Sequence, residues 1–292
     1  MTPVVSVIIP AHNAGTFVAE TLDSALAQTM RELEVIVVDD GSADGTAEIL
    51  ARYGDRIRVE CQSAGGPSRA RNRGAELARG EWLAFLDADD LWRRDKLERQ
   101  LQAVAADPEV ELVHTGTENF GDLSRIGKYR ETPSERGCLF EALLLRGNFL
   151  TTSSVLIRTE TFRRLGGFDE QLRVCEDWDL WLRFSAEGGI MNALSEPLTL
   201  YRVHPSLSNR DFRGMKDGAL RAVGRALDHP RARHLAPGVA RRARAGIWET
   251  MAWRAKPAAR WTAFGWYARA LAQDPGQPLL YRELIKCALG VD

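Results

Sequence analysis

Apolar and polar positions alternate between two periods along the first third of the chain. Residues 4–9 form an unbroken, largely β-branched run, the pattern of a strand buried on both faces. Apolar residues then recur at Val18, Leu22, Ala25 and Leu26, the spacing of one helix face. A second apolar run over 33–38 ends in Asp39-Asp40-Gly41-Ser42, and a short helix is predicted around 46–53. Residues 57–61 read as a third strand. A helix follows with Pro67 in its first turn and Gly80 at its end. Residues 82–86 form a fourth strand, closed by Asp87-Ala88-Asp89-Asp90, and 95–106 a further amphipathic helix. Strands alternating with short helices predict an α/β fold with a mostly parallel sheet flanked by helices. Right-handed crossovers bring the carboxyl ends of such strands to one edge, where ligands bind.

The pattern is mixed beyond residue 110. Strands are predicted over 111–115, 153–157 and 198–203, and helices over 135–146 and 177–186. After Pro205 the chain becomes helical and rich in Ala, Arg and Trp. This divides it into a domain over 1–207 and a helical C-terminal region over 208–292. Charge follows the same division. Residues 205–292 hold 16 Lys/Arg against 7 Asp/Glu, whereas 1–204 hold 23 against 33, so the net charge of −1 conceals an acidic body and a basic tail. Such a tail, with Trp248, Trp253, Trp261 and Trp266, suits either packing on the body or peripheral contact with an anionic membrane. No run approaches the roughly 18 apolar residues of a membrane span. The amino terminus enters a strand without a signal-peptide layout, so a cytoplasmic location is expected, at the inner face of the membrane if the tail docks there. The four widely spaced cysteines fit reduced, mostly buried thiols rather than a metal or disulfide framework.

Candidate chemistry lies at the strand ends. In extended chain, Asp87 and Asp89 point to one side, and two adjacent carboxylates call for a cation or donors between them; a solvated acidic turn is the other reading. Asp39 and Asp40 could accept hydrogen bonds from a base or ribose, or simply cap the turn that Gly41 permits. Gly65-Gly66-Pro67 opens a helix whose amino end favours anions, with Arg71 one turn on, either toward a phosphate or on a wet face. Glu176-Asp177 starts an otherwise apolar helix, as a general base or as ordinary first-turn acids. Arg202 and His204 end the last strand and could face a diphosphate, or be structural.

Assembled in order, SVIIPAHN, VIVVDDGSADGT, GGPSRARNRG, EWLAFLDADD, GGFDE, CEDWDLWLR and YRVH resemble family 2 glycosyltransferases across about residues 3–207. The resemblance implies a GT-A fold and a nucleotide-diphosphate sugar donor, UDP- or dTDP-linked. It further implies Mn²⁺ or Mg²⁺ as cofactor, a glycan or lipid-linked acceptor, and a place in cell-surface polysaccharide synthesis. It puts Pro10, His12 and Asn13 beside the nucleotide, Asp40 on the base with Asp39 in support, and Arg71 near the diphosphate. Asp87, with Ala88 beside it, would lie by the ribose or metal, Asp89 would hold the metal with His204, and Asp177 would be the catalytic base next to Glu176. Relatives often carry an aromatic residue where this chain has His12. The implied transfer is a single inverting displacement. A sugar nucleotidyltransferase would carry a Gly-rich basic loop after the first strand, where PAHNAG stands. A dinucleotide oxidoreductase would carry GxGxxG there. A non-catalytic nucleotide-sugar binder would be expected to lack Asp89 or Asp177. No nucleic-acid motif is present.

Overall fold

The computed structural model describes residues 2–122, 129–130, 135–204 and 212–291, so the predicted boundary at 207/208 lies outside the described residues. The strands are β1 Val5–Ala11, β2 Leu33–Asp40, β3 Arg58–Gln62, β4 Trp82–Phe85, β5 Leu91–Trp92, β6 Leu112–Gly121, β7 Tyr129–Arg130, β8 Leu156–Arg158 and β9 Met191–Val203. The helices are α1 Val18–Leu26, α2 Thr46–Ala51, α3 Pro67–Leu77, α4 Lys96–Ala106, α5 Phe140–Arg146, α6 Thr159–Arg164, α7 Glu176–Ala186, α8 Phe212–Asp228, α9 Val239–Ala255, α10 Arg260–Gln273 and α11 Pro278–Leu289.

The chain gathers into two compact units. The first comprises Met1–Leu139, Phe149–Gln171 and Gly188–His204. The second joins two inner segments, Phe140–Asn148 and Leu172–Glu187, to Pro205–Asp292.

The first unit is built on a single sheet in the order β3-β2-β1-β4-β8-β6-β9-β5, with β7 on β6. β3, β2, β1 and β4 are parallel, and β8 then runs antiparallel to both β4 and β6. β1 and β4 are buried almost throughout because, apart from Ser6, all their positions are apolar. β3 forms an edge and is correspondingly polar, with Arg58, Glu60 and Gln62. α3 presses on β1 where Gly74 has no Cβ, which would otherwise strike Ile8.

Several elements depart from the sequence expectation for local reasons. Over 153–157, a 3-10 turn at Thr152–Ser154 replaces the start of the strand, because the Ser154 amide and hydroxyl both donate to the Thr151 carbonyl, at 2.8 and 2.7 Å. The helix expected from 135 begins at Phe140, since Gly137, at φ 134°, bridges to Met191. β9 starts seven residues early and carries an irregularity opposite Gly116, where Pro197 supplies no ladder donor. Leu91–Trp92 pairs with β9 and was not anticipated. None of the four cysteines forms a disulfide; only Cys287 is buried, and Cys61 is exposed, so buried thiols as a class are a misreading.

The second unit packs α8 against α7 and α9, α9 against α10, and α10 against α11. Trp248 and Trp266 lie inside this packing with ring centroids 6.4 Å apart, and Lys216 Nζ stands 5.5 and 5.8 Å from their centroids. Trp253 and Trp261 are exposed. No helix of the described residues is long and apolar enough to cross a membrane.

His114, on β6, is fully buried, and among the described residues neither ring nitrogen has a hydrogen-bond partner. Burial pushes its pKa down to about 4. The neutral ring therefore stabilises the fold above the ordinary histidine range, and that contribution is lost as pH falls from 6.5 towards 4. Urea unfolding across this window should show a loss specific to the wild type, on the order of 3 kcal/mol, that His114→Leu lacks. Parallel pH profiles for the two proteins would mean that the ring is not held neutral.

Candidate functional site

The parallel register brings Ala11 beside Asp39, Asp40 beside Gln62, and Ile8 beside Phe85. The turns that follow β1, β2, β3 and β4 therefore share the carboxyl edge of the sheet. Pro10 and Ala11 end β1 against Val38 and Asp39. Beyond them the chain turns through Asn13, at φ 50°, a left-handed conformation that asparagine tolerates. This turn is stapled to the one after β2. The Asn13 amide donates to Ser42 Oγ (2.9 Å), Asn13 Oδ1 accepts from the Ala43 amide (2.8 Å), and the Ala14 amide donates to Thr46 Oγ1 (2.9 Å). His12 is exposed, with Nδ1 2.7 Å from the Asp40 carbonyl oxygen and Nε2 3.2 Å from Asn13 Nδ2.

The two carboxylates ending β2 do different work. Asp39 Oδ1 accepts from the Ser42 amide (3.0 Å) and shapes the turn that Gly41 completes at φ 70°. Asp40 is buried and gathers the glycine loop before α3. Its Oδ1 accepts from Gln62 Nε2 (2.7 Å) and the Gly65 amide (2.8 Å), and its Oδ2 from the Gly66 amide (2.7 Å). Asp40 thus sets the loop that leads into α3, and Gln62 is a partner the sequence pattern did not single out.

Arg71, on α3, is nearly buried. Its Nη2 meets Asp87 Oδ1 at 2.7 Å, and its guanidinium carbon lies 5.3 Å from the Phe168 ring centroid. Asp89, in the turn after β4, meets a different partner, its Oδ2 lying 2.7 Å from His204 Nε2 at the end of β9. Ala88 sits between the two carboxylates, half-buried. Burial first, and then the charge of Asp87, push the Asp89 carboxyl above the usual range, while His204 opposes the shift.

Asp90, which sequence reasoning passed over, organises this corner. Fully buried, it accepts from Ser153 Oγ (2.6 Å) through Oδ2 and from the Arg202 amide (2.9 Å) through Oδ1. Burial, then Asp89 and Asp87, hold its carboxyl well above the ordinary range. Ser153 Oγ also accepts from the Asp87 amide (3.1 Å), and the Ser153 carbonyl accepts from Trp92 Nε1 (2.7 Å). Arg202 Nε donates to the Asp89 carbonyl (2.7 Å), its Nη2 pairs with Glu20 (2.7 Å), and its guanidinium stacks 4.4 Å from both Phe17 and Phe120. Arg202 therefore braces the turn through protein partners. Behind it the buried Lys96, whose ammonium is disfavoured by desolvation, donates to Gln100 Oε1 (2.8 Å), and Gln100 Nε2 holds the Ser154 and Val113 carbonyls.

Asp89 and His204 offer one oxygen and one nitrogen to a cation. Among the described residues no group of three or more His, Cys, Asp or Glu side chains forms a complete metal site. That donor set fits Mg²⁺ or Mn²⁺ of the type that completes its coordination with water and substrate phosphates, and does not fit an all-protein cage.

Asp177 belongs to the second unit, in the first turn of α7. Its Oδ2 accepts from Asn148 Nδ2 (2.7 Å) and its Oδ1 from the Trp178 amide (2.7 Å). Trp178 Nε1 donates to the Leu143 carbonyl (3.1 Å), so the α5 end and the α7 start are fastened together. α7 is entered through Cys175 at φ 62°, and burial, then the charges of Asp177 and Glu176, push that thiol up to about 12. Glu176 is buried beside it, while Asp179 is tied to Arg183 (2.8 Å) and Arg225 (3.0 Å).

Comparison with known proteins agrees with this architecture. The family model described as Glycosyl transferase family 2 matches residues 6–165. The chain is 36% identical over 193 residues to an uncharacterized glycosyltransferase of Rickettsia typhi, covering 63% of this chain and 59% of that one. It thus spans less than two thirds of that relative's length. It is 32% identical over 220 residues to TuaG of Bacillus subtilis, a glycosyltransferase assigned to teichuronic acid biosynthesis, covering 73% of this chain and 85% of TuaG. Two solved structures share the fold. S. aureus TarS in complex with UDP-GlcNAc superposes with a TM-score of 0.66 at 17% identity, over 97% of this chain and 79% of that one. The mannosyltransferase PcManGT of Pyrobaculum calidifontis, in complex with GDP-Man and Mn²⁺, superposes with a TM-score of 0.62 at 21% identity, over 99% and 80%. With its GT-A architecture and these relatives, the chain belongs to glycosyltransferase family 2.

Proposed function

We propose that this enzyme moves a sugar from a nucleotide-diphosphate sugar, UDP- or dTDP-linked, to an acceptor hydroxyl with inversion, in the synthesis of a cell-surface glycan. The observation that carries this is the strand-end corner where Asp87 meets Arg71 and Asp89 meets His204. It gathers acids for a cation and a base for phosphate on the edge where α/β sheets bind ligands. GDP-Man with Mn²⁺ and UDP-GlcNAc in the two structural neighbours support a nucleotide-sugar donor. TuaG supports a polysaccharide product.

In this reading Asp89 and His204 would hold Mn²⁺ or Mg²⁺, which would supply positive charge to offset that on the departing diphosphate. Pro10, His12 and Asn13 border the nucleotide, Asp39 and Asp40 its base, and Asp87 with Ala88 its ribose. Arg71 trades part of its bond with Asp87 for the diphosphate. Asp177, steadied by Asn148, takes the proton of the acceptor hydroxyl as that oxygen bonds to the anomeric carbon. The anomeric C–O bond breaks, and the nucleoside diphosphate leaves with the electron pair. Glu176 supports Asp177.

Thermal unfolding with UDP, dTDP, GDP or CDP, each with Mn²⁺ and with EDTA, tests the donor site. One nucleotide should stabilise the protein only with metal, by roughly 3 kcal/mol at a hundredfold excess over Kd. Asp89→Ala should weaken the metal-dependent response, and unchanged metal dependence in that variant would rule out the ligand role; no response to any nucleotide in the folded wild type overturns the reading. Asp177→Asn should keep the donor response while turnover drops about 10²–10⁴-fold, and normal turnover would move the base elsewhere. Asp90→Ala strands Ser153 Oγ and the Arg202 amide, so it should cost about 2–4 kcal/mol in urea unfolding. An unchanged urea midpoint would show that the corner is held by other contacts.

A further inference from the structure

Most large apolar side chains that the chain leaves exposed lie between Trp253 and Val291. Trp253 is 68% exposed, Trp261 64% and Leu289 71%. Tyr281, Ile285 and Leu289 recur at four-residue spacing and form one stripe along α11. Trp261 lies at the end of this stripe, and Trp253 on the neighbouring helix α9. The Arg260 guanidinium lies 4.8 Å from the Trp261 ring centroid and fills the space that a Cβ on Gly290 would need. Lys256, just after α9, reaches Glu283 of α11 at 3.5 Å, which ties the end of α9 with Trp253 to the middle of α11.

Charge at this surface has one sign. Among the described residues from 239 to 291, the acids are Glu249, Asp274 and Glu283, and none of them is exposed. Arg254, Arg260, Arg269 and Arg282 are exposed. A protein partner of mixed charge would meet no exposed acid here, and an apolar partner alone would leave the guanidinium groups facing an uncharged surface. Exposed indole rings, aliphatic tips and arginines in one region suit the boundary between acyl chains and anionic headgroups. Trp248 and Trp266, by contrast, are spent on packing.

We propose that the face formed by Trp253, Trp261 and the Tyr281–Ile285–Leu289 stripe docks on an anionic lipid bilayer, as a peripheral contact independent of the donor chemistry. Arginine attraction brings the face to the surface, and burial of the indole and leucine side chains retains it. The full chain should sediment with vesicles of phosphatidylglycerol and phosphatidylcholine but not with phosphatidylcholine alone, and raised salt should weaken the binding. A Trp253→Ser/Trp261→Ser variant with unchanged circular dichroism should bind about tenfold more weakly or worse. Should that variant fail to fold, brominated acyl chains in the same vesicles should quench wild-type tryptophan emission. Equal sedimentation with both vesicle types, binding unaffected by the substitutions, or sedimentation without quenching overturns the proposal. So does a stable dimer in solution that the same substitutions disperse, which would assign the face to a second copy of the chain.

Discussion

Three carboxylates within four residues, Asp87, Asp89 and Asp90, end β4 and repel one another in a turn that burial makes costly for charge. Each is answered by a different part of the first unit. Asp87 meets a guanidinium from α3, Asp89 an imidazole from the end of β9, and Asp90 a hydroxyl from the 152–154 turn together with a backbone amide of β9. The edge geometry of the sheet follows from this division. The α3 helix must approach the turn closely, which Gly74 allows, and β9 must run on past β5 so that residues 202 and 204 arrive beside it.

Asp40 applies the same logic to a loop. A buried carboxylate that accepts from two consecutive glycine amides and a glutamine fixes a segment that would otherwise be free to sample many shapes. This stretch of the sheet edge is thereby shaped before any ligand arrives, which lowers the ordering cost of binding there.

The parallel half of the sheet was legible because its strands are continuous apolar runs and its turns end in polar clusters, as at Ile8-Ile9-Pro10 and Val37-Val38-Asp39. The polar residues gathered at those ends were legible for the same reason. Gln62, Asp90 and Ser153 were not, because what makes them matter is a partner 22, 112 or 63 residues away. Ser153 even read as strand, since the apolar run 155–157 that follows it carries the pattern, while the Ser154 amide and hydroxyl build the turn it sits in. Likewise the four tail tryptophans look alike in sequence; only packing separates Trp248 and Trp266 from Trp253 and Trp261.

The contact between Asp89 and His204 joins positions 115 residues apart. A chain emerging from the ribosome can lay down β1 to β4, and with them most of the carboxyl edge of the parallel strands, while the histidine is still unmade. The acidic turn is then exposed without its partner until β9 has been synthesised and has added to β6. Long-range closure of this type is slow and comes late. The nascent protein can therefore hold a recognisable half of its sheet edge well before the pair that closes the acidic turn exists.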